Sequence, residues 1–517
     1  MVYSILITYS KSKELSKIEF LRTKGKFNEA LQKLNKLESK EDLTPQDKLS
    51  CYIIRSFILC ALGNYDKAFK FAEQAFQESK ELHETLYLID AYYLKSLLLY
   101  FDSSSDKALD LIYKCEEFLK SISQVPPIEL KKREVLLAFL KGYIYMDNGE
   151  LNKAIKNLTY ALKLSKEIGI QQGICASYGH LVVYYLESKG NWDKALKYNE
   201  KSFNLAKKID YKPLISLSLL RFGVIYETKG ELDLALKYIK ESLSLAKKMD
   251  QKPVITGCFN ALGRIYQEKG EFDQALKYCE ECLEIKEEMG HRQGKFGILD
   301  TLFYLCYIKK DLEKAQYYFN QMSQIKQQGI SSMQETFFQL DKALLMKMSS
   351  ETDKFARSKE MLEEIVRKMI GQEITIRALL SLCDLMLIEL RNTDNLNFLD
   401  EIQSYILQIQ SIAKNLNSYW LIAETYSLQA QLRLIIFEFN EAQNLLIKAM
   451  DIAQKYGQSR IVKRLINEQN DLTNNLNKWE RLKTSGAKLS ERMDLTHIEE
   501  KIGILLQKRR YLQLIGN

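Results

Sequence analysis

Apolar residues recur along this chain at three- and four-residue intervals almost from end to end. The segment beginning at Lys252 shows the unit. Phe259, Leu262, Gly263 and Tyr266 fall at i, i+3, i+4 and i+7, which is one face of a helix. Lys269-Gly270-Glu271 interrupts the pattern, and glycine tolerates the left-handed closure of a helix C-terminus. Glu271 and Asp273 then open a second helix, where acidic side chains suit the positive end of the dipole. Ala275, Cys279 and Cys282 form its apolar seam. Gly263 and Ala275 are small where the two backbones must approach closely. The pattern predicts two antiparallel helices joined by a tight turn.

The unit is repeated. Lys212–Gln251 and Lys252–His291 align without a gap at a period of forty. The small residue of the second helix recurs at Ala30, Ala68, Ala108, Ala154, Ala195, Ala235, Ala275 and Ala315. Ser358 and Ala442 continue the series around a degenerate copy at Leu399–Ile402. About eleven units are therefore expected over residues 13–456. One pair of helices cannot bury its own faces, so the expectation is a quasi-one-dimensional stack in which each repeat touches its neighbours. From Gln458 the paired pattern is lost, and Ile461, Leu465, Leu472, Leu476 and Trp479 form a single stripe. That stripe predicts one long capping helix over 457–483. Residues 484–517 read as a loop and a basic amphipathic helix, with Met493, Ile498, Ile502, Leu505, Leu506 and Leu512 at helical spacing. Lys501, Lys508, Arg509 and Arg510 accompany that stripe and are candidate tail contacts.

Phe259, Leu262, Gly263, Tyr266, Ala275, Cys279 and Cys282 occupy the offsets of the tetratricopeptide repeat, and the chain resembles that family in its longer, forty-residue variety. Gly142, Tyr145, Ala154, Leu158 and Ala161 match nearly as well, as do Phe222, Gly223, Tyr226, Ala235, Ile239 and Ser242. The resemblance implies an all-α fold: an α-solenoid, a right-handed superhelix of antiparallel helix pairs with C-terminal capping helices. It also implies a concave groove lined by the first helix of each pair. Some relatives grip a peptide carboxylate there with Lys, Arg and Asn. At the corresponding offsets this chain places Phe57, Tyr93, Leu97, Phe139, Tyr143, Val183, Leu220, Val224 and Tyr304, and only Asn260 and Arg264 suit a clamp. These eleven residues are the candidate groove contacts. Either they anchor an apolar or amphipathic segment, or tight curvature buries many of them against neighbouring repeats.

Composition narrows the class. The chain has 517 residues, 46% hydrophobic and 27% charged, and only five prolines, all before residue 254. That suits a large helical core and not an all-β protein, which needs many turns. The start lacks the basic region of a secretory signal, and no run of eighteen apolar residues suggests a membrane span. Nine scattered cysteines fit a reducing cytoplasm. Cys279 and Cys282 have neither a βαβ setting nor two further zinc ligands, so they read as packing. His83, His180, His291 and His497 are far apart, with no i, i+4 partner. There is no phosphate-binding loop, nucleophile elbow or triad. No catalytic residue, cofactor or metal is expected. The reading is a non-catalytic cytoplasmic scaffold that binds a protein or peptide in the groove. The alternative is a regulatory sensor of a peptide or small ligand that controls an effector. A nucleic-acid-binding solenoid is disfavoured: the net charge is only +8, and the repeats carry no basic stripe.

Overall fold

The computed structural model describes residues 12–40, 43–102, 104–122, 125–187, 191–290, 292–327, 329–330, 332–348, 352–369, 371–416, 418–456 and 459–507. Every regular element among them is a helix. They divide into two compact units, one running to Leu302 and one starting at Phe303.

In the first unit, α1 (Lys13–Thr23) pairs with α2 (Phe27–Glu38), α3 (Pro45–Leu62) with α4 (Tyr65–Glu81), and α5 (Thr85–Phe101) with α6 (Ser105–Ser121). The series continues with α7 (Pro127–Asp147) and α8 (Leu151–Glu167), α9 (Gln171–Glu187) and α10 (Trp192–Lys208), α11 (Lys212–Thr228) and α12 (Leu232–Lys248), and α13 (Lys252–Glu268) and α14 (Phe272–Met289). The boundary falls inside α15 (Arg292–Ile308). The second unit goes on with α16 (Leu312–Gln327), α17 (Ser332–Lys347), α18 (Thr352–Lys368), α19 (Gln372–Thr393), α20 (Asn397–Asn415), α21 (Tyr419–Ile435) and α22 (Phe439–Lys455). Four further helices follow: α23 (Ser459–Asn474), α24 (Leu476–Thr484), α25 (Leu489–Thr496) and α26 (Ile498–Gln507).

Local sequence explains where the helices begin and how tightly each pair closes. Pro45, Pro127, Pro213 and Pro253 all stand in the first turn of a first helix, where a missing N–H costs no hydrogen bond. The marker residues from Ala30 to Ala442, Ser358 included, are fully buried. A Cβ on Gly263 would stand 2.7 Å from Cys279 Sγ, and one on Gly142 would stand 2.8 Å from Leu158 Cγ. Above these close approaches a tyrosine pair stacks across the hairpin. Tyr226–Tyr238, Tyr266–Tyr278 and Tyr185–Tyr198 each have ring centroids 5.5 Å apart.

Within the first unit each first helix also touches the first helix of the next repeat, which puts α1 to α13 on the inner radius. The stack is not one-dimensional: α3 meets α13. Lys24 Nζ donates to Ile209 O at 2.9 Å, beside Asp210. A Cβ on Gly25 would meet Pro213 Cγ at 2.7 Å, and one on Gly63 would meet Met289 Cγ at 3.0 Å. The turn edges of the first two repeats thus lie on the α11–α14 repeats, and the curl is tight enough for one turn of the superhelix to rest on the next.

In the second unit two expectations change. Residues 457–483 are not one helix: the chain breaks at Asn475, whose amide Nδ2 donates to Asp471 O at 2.8 Å. Leu476 is exposed in consequence, while Ile461, Leu465, Leu472 and Trp479 stay buried. The C-terminal helix is likewise two short helices, separated at His497, which takes a left-handed φ of 54°.

Candidate functional site

The inner wall of the first unit is built by α1, α3, α5, α7, α9, α11 and α13. Its early half is closed by its own side chains. Phe57, Tyr93, Leu97 and Phe139 are at most 3% exposed. Phe57 and Tyr93 pack ring to ring at 6.1 Å with the Arg22 guanidinium 5.5 Å over Phe57. Next to them Arg133 Nη2 donates to Asp90 Oδ2 at 2.5 Å, both side chains shut off from solvent. These four residues were candidate anchors. The curvature that brings successive inner helices together has made them core, and they are withdrawn as contacts.

The later half of the wall is half-open. Tyr143, Val183, Leu220, Val224, Asn260 and Arg264 are each partly exposed, on α7, α9, α11 and α13. Tyr143, Val183, Val224 and Arg264 stand one repeat apart in series, so the repeat itself aligns them. Leu220 leans over Gly257, whose Cβ would lie 2.8 Å from Leu220 Cδ2. At one end of this strip the Tyr143 hydroxyl and His180 Nδ1 are 2.6 Å apart, with the Phe139 ring tilted against the imidazole at 4.3 Å. Burial, and then the charge of Arg221, holds the His180 pKa well below its usual value, so the ring is neutral. Arg221 in turn lies over Gly179, where a Cβ would stand 2.7 Å from its Cζ. At the other end Arg264 donates to Glu227 through Nε at 2.6 Å and Nη2 at 2.7 Å. A bidentate pair of this kind neutralises the guanidinium. Arg264 is therefore a fixed polar edge and not a free carboxylate clamp.

Tyr304 lies in the second unit and is buried as well. Its hydroxyl donates to Leu506 O, and the Arg377 guanidinium sits 4.4 Å over its ring. Lys501 also departs from expectation. It is 9% exposed, and its Nζ donates to Glu468 Oε2 at 2.6 Å and to Ser427 Oγ. As a candidate tail contact it is withdrawn, because a carboxylate inside the fold receives it. Lys508, Arg509 and Arg510 lie outside the described residues.

The sequence reading missed the buried charges of the inner helices: Asp90, Arg133, Arg221, Glu227 and, in the second unit, Arg377 and Glu424. A signal for them exists. Opposite charges sit about one repeat apart on successive first helices, 43 residues for Asp90–Arg133, 37 for Glu227–Arg264 and 40 for Glu424–Arg464. Cys279 and Cys282 are fully buried, and burial raises the Cys282 thiol to about 11. No set of three His, Cys, Asp or Glu among the described residues could hold a metal ion.

Helix pairs with small residues at their crossings and an inner wall of first helices define a helical repeat array of the tetratricopeptide type. Residues 174–462, more than half of the chain, match the model of the MalT-like TPR region, and the chain belongs to that family. Residues 137–168 match the tetratricopeptide repeat itself. No curated protein matches the chain. Among solved structures it is similar to a signal transduction ATPase with numerous domains carrying a tetratricopeptide repeat sensor, from Pyrococcus horikoshii. The identity is 18% and the TM-score 0.41, over 69% of this chain and 53% of that one, so the match spans about half of that protein. It is similar to NprR in complex with its cognate peptide NprX at 16% identity and TM-score 0.46, over 72% of this chain and 100% of that one. It is similar to aspartyl phosphate phosphatase F from Bacillus subtilis at 14% identity and TM-score 0.40, over 71% and 97%.

Proposed function

We propose that this chain is a non-catalytic interaction protein that binds a protein or peptide segment along the inner wall of its first unit. The observation that carries the reading is the half-open strip of Val183, Leu220 and Val224 on successive inner helices. It is bounded by Tyr143–His180 at one end and by Asn260 and the Arg264–Glu227 pair at the other. An apolar strip with a few fixed polar groups suits an extended or helical segment whose side chains fill it in register. Arg22, Arg55, Arg133 and Arg264 on the inner helices are paired with Glu19, Glu38, Asp90 and Glu227, which favours a peptide over a phosphate backbone. Nine cysteines, all buried and unbridged, suit a reducing cytoplasm. No helix among the described residues is long and apolar enough to cross a membrane.

The test is selection from a random peptide library on the immobilised full chain, followed by isotherms with Val224→Asp and Leu220→Asp. Each change should weaken the selected peptides by about 2 kcal/mol or more. Raising salt should change affinity little, because apolar contacts are not screened. Peptides that bind both variants as well as the parent chain would put the site elsewhere.

A further inference from the structure

The first-helix side of the second unit is already occupied. α25 and α26 pack on α19 and α21, two of its first helices, and reach Tyr304 of α15 through the Leu506 carbonyl. Leu489, Met493, Ile498, Ile502, Leu505 and Leu506 are buried, while Ile504 on the opposite face is exposed. Two polar latches flank this stripe. Arg391 of α19 donates to Asp494 Oδ1 at 2.9 Å and to both carboxylate oxygens of Glu499, at 2.8 and 2.9 Å. Lys501 enters the pair made by Ser427 of α21 and Glu468 of α23. The left-handed His497 turns the chain between the two helices, and both of them contact α19 and α21.

We propose that this wall is a binding site for a short amphipathic helix and that α25–α26 is its resident ligand, displaced by a partner helix of the same chemistry. That chemistry is read from the segment: an apolar stripe, one lysine between the apolar anchors, and acidic residues on the flank that meets Arg391. Two features make the segment an exchangeable occupant. Its contacts are those of a helix laid in a groove. And it brings a buried charge, Lys501, whose desolvation offsets part of the gain from its partner, so that it is held less tightly than an apolar plug of the same shape. The inference concerns the second unit only, and its outcome is independent of the strip between Tyr143 and Arg264.

The probe is a labelled synthetic peptide of residues 487–507, titrated against the full chain and against the full chain carrying Ile502→Asp and Leu505→Asp. The double change strips the resident segment of its anchors and leaves the wall intact. The peptide should bind the double variant at least ~10-fold more tightly than the parent, because an occupied site lowers apparent affinity by the fraction that is free. Glu468→Lys in that variant should abolish binding, and a peptide with Lys501→Glu should restore it. Hydrogen exchange of α17 to α22 should stay slow in the double variant. Equal affinity for parent and variant, or no binding to either, overturns the proposal. So does collapse of protection across α17 to α22, which would make the segment core. A stable dimer of the parent chain that exchanges its C-terminal segments would also overturn it, since the occupant would then be a second copy.

Discussion

Small residues decide how closely each hairpin closes, and the closest approach gives the sharpest test. At Gly263 the space beyond Cα is filled by Cys279. Gly263→Leu should cost on the order of 1–3 kcal/mol by overpacking, read as a shift of the denaturation midpoint with faster exchange centred on α13 and α14. His180 gives a second test at this scale. Its folded pKa is depressed by burial and by Arg221, so the unfolded chain takes up a proton near pH 6.5 that the fold refuses. Stability therefore rises with pH through this window and falls on acidification from 7 to 5, by at most about 1.4 kcal/mol per pH unit. His180→Asn should flatten that slope in a denaturation series. An unchanged slope would mean that the imidazole is not sealed behind Tyr143 and Phe139.

At the scale of the helix, much was legible. The recurring Gly and the marker alanine locate the hairpins, because each reports a local requirement of backbone geometry. Position on the inner radius was legible too. What the period does not report is how tightly that radius closes, and this decides whether an inner residue faces a partner or a neighbour. Phe57, Tyr93, Leu97 and Phe139 are closed off by their neighbours, while Tyr143, Val183, Leu220 and Val224 stay partly exposed. Lys501 stands as a tail contact in the sequence for a related reason: a lysine at helical spacing looks available to a partner until the carboxylate that receives it, on a distant helix, is known. Burial pushes the Glu468 carboxyl up, but the Lys501 charge and hydrogen bonds from Lys501 and Ser427 outweigh it and hold the carboxyl below 4.5. A depressed carboxylate contributes stability that is present above 4.5 and lost as pH falls through the folded value. Exchange at α25 and α26 should therefore accelerate below that range. Glu468→Gln should weaken their docking at neutral pH by about 3–5 kcal/mol by stranding the lysine. If α25 and α26 stay as protected in acid as at pH 7, the ion pair is not what latches them.

The largest departure from expectation is in how the first unit is connected. A quasi-one-dimensional stack would confine damage to adjacent repeats, but here the first two repeats lean on the α11–α14 repeats. Two glycines separate this contact from ordinary turn strain. Gly63 and Gly149 have nearly the same left-handed backbone, φ +81 and +75, yet a Cβ on Gly63 meets Met289 and Lys252 while one on Gly149, between α7 and α8, meets nothing within 4 Å. Replacement of either by Ala should cost about 1–2 kcal/mol for the backbone alone. Only Gly63→Ala should also speed exchange in Lys252–Met289. Equal effects on that segment would show that the contact contributes nothing to stability.

The same contact sets a timetable during synthesis. Lys24 and the carbonyl it binds, Ile209, are 185 residues apart in the chain. A ribosome adding roughly 5–20 residues per second leaves the first two repeats outside the exit tunnel for roughly ten to forty seconds before their docking surface has been made. Throughout that interval the flank around Lys24, Gly25 and Gly63 lacks the surface that will cover it. A rare codon placed between Leu82 and Pro213 lengthens the wait, and one placed after Met289 does not.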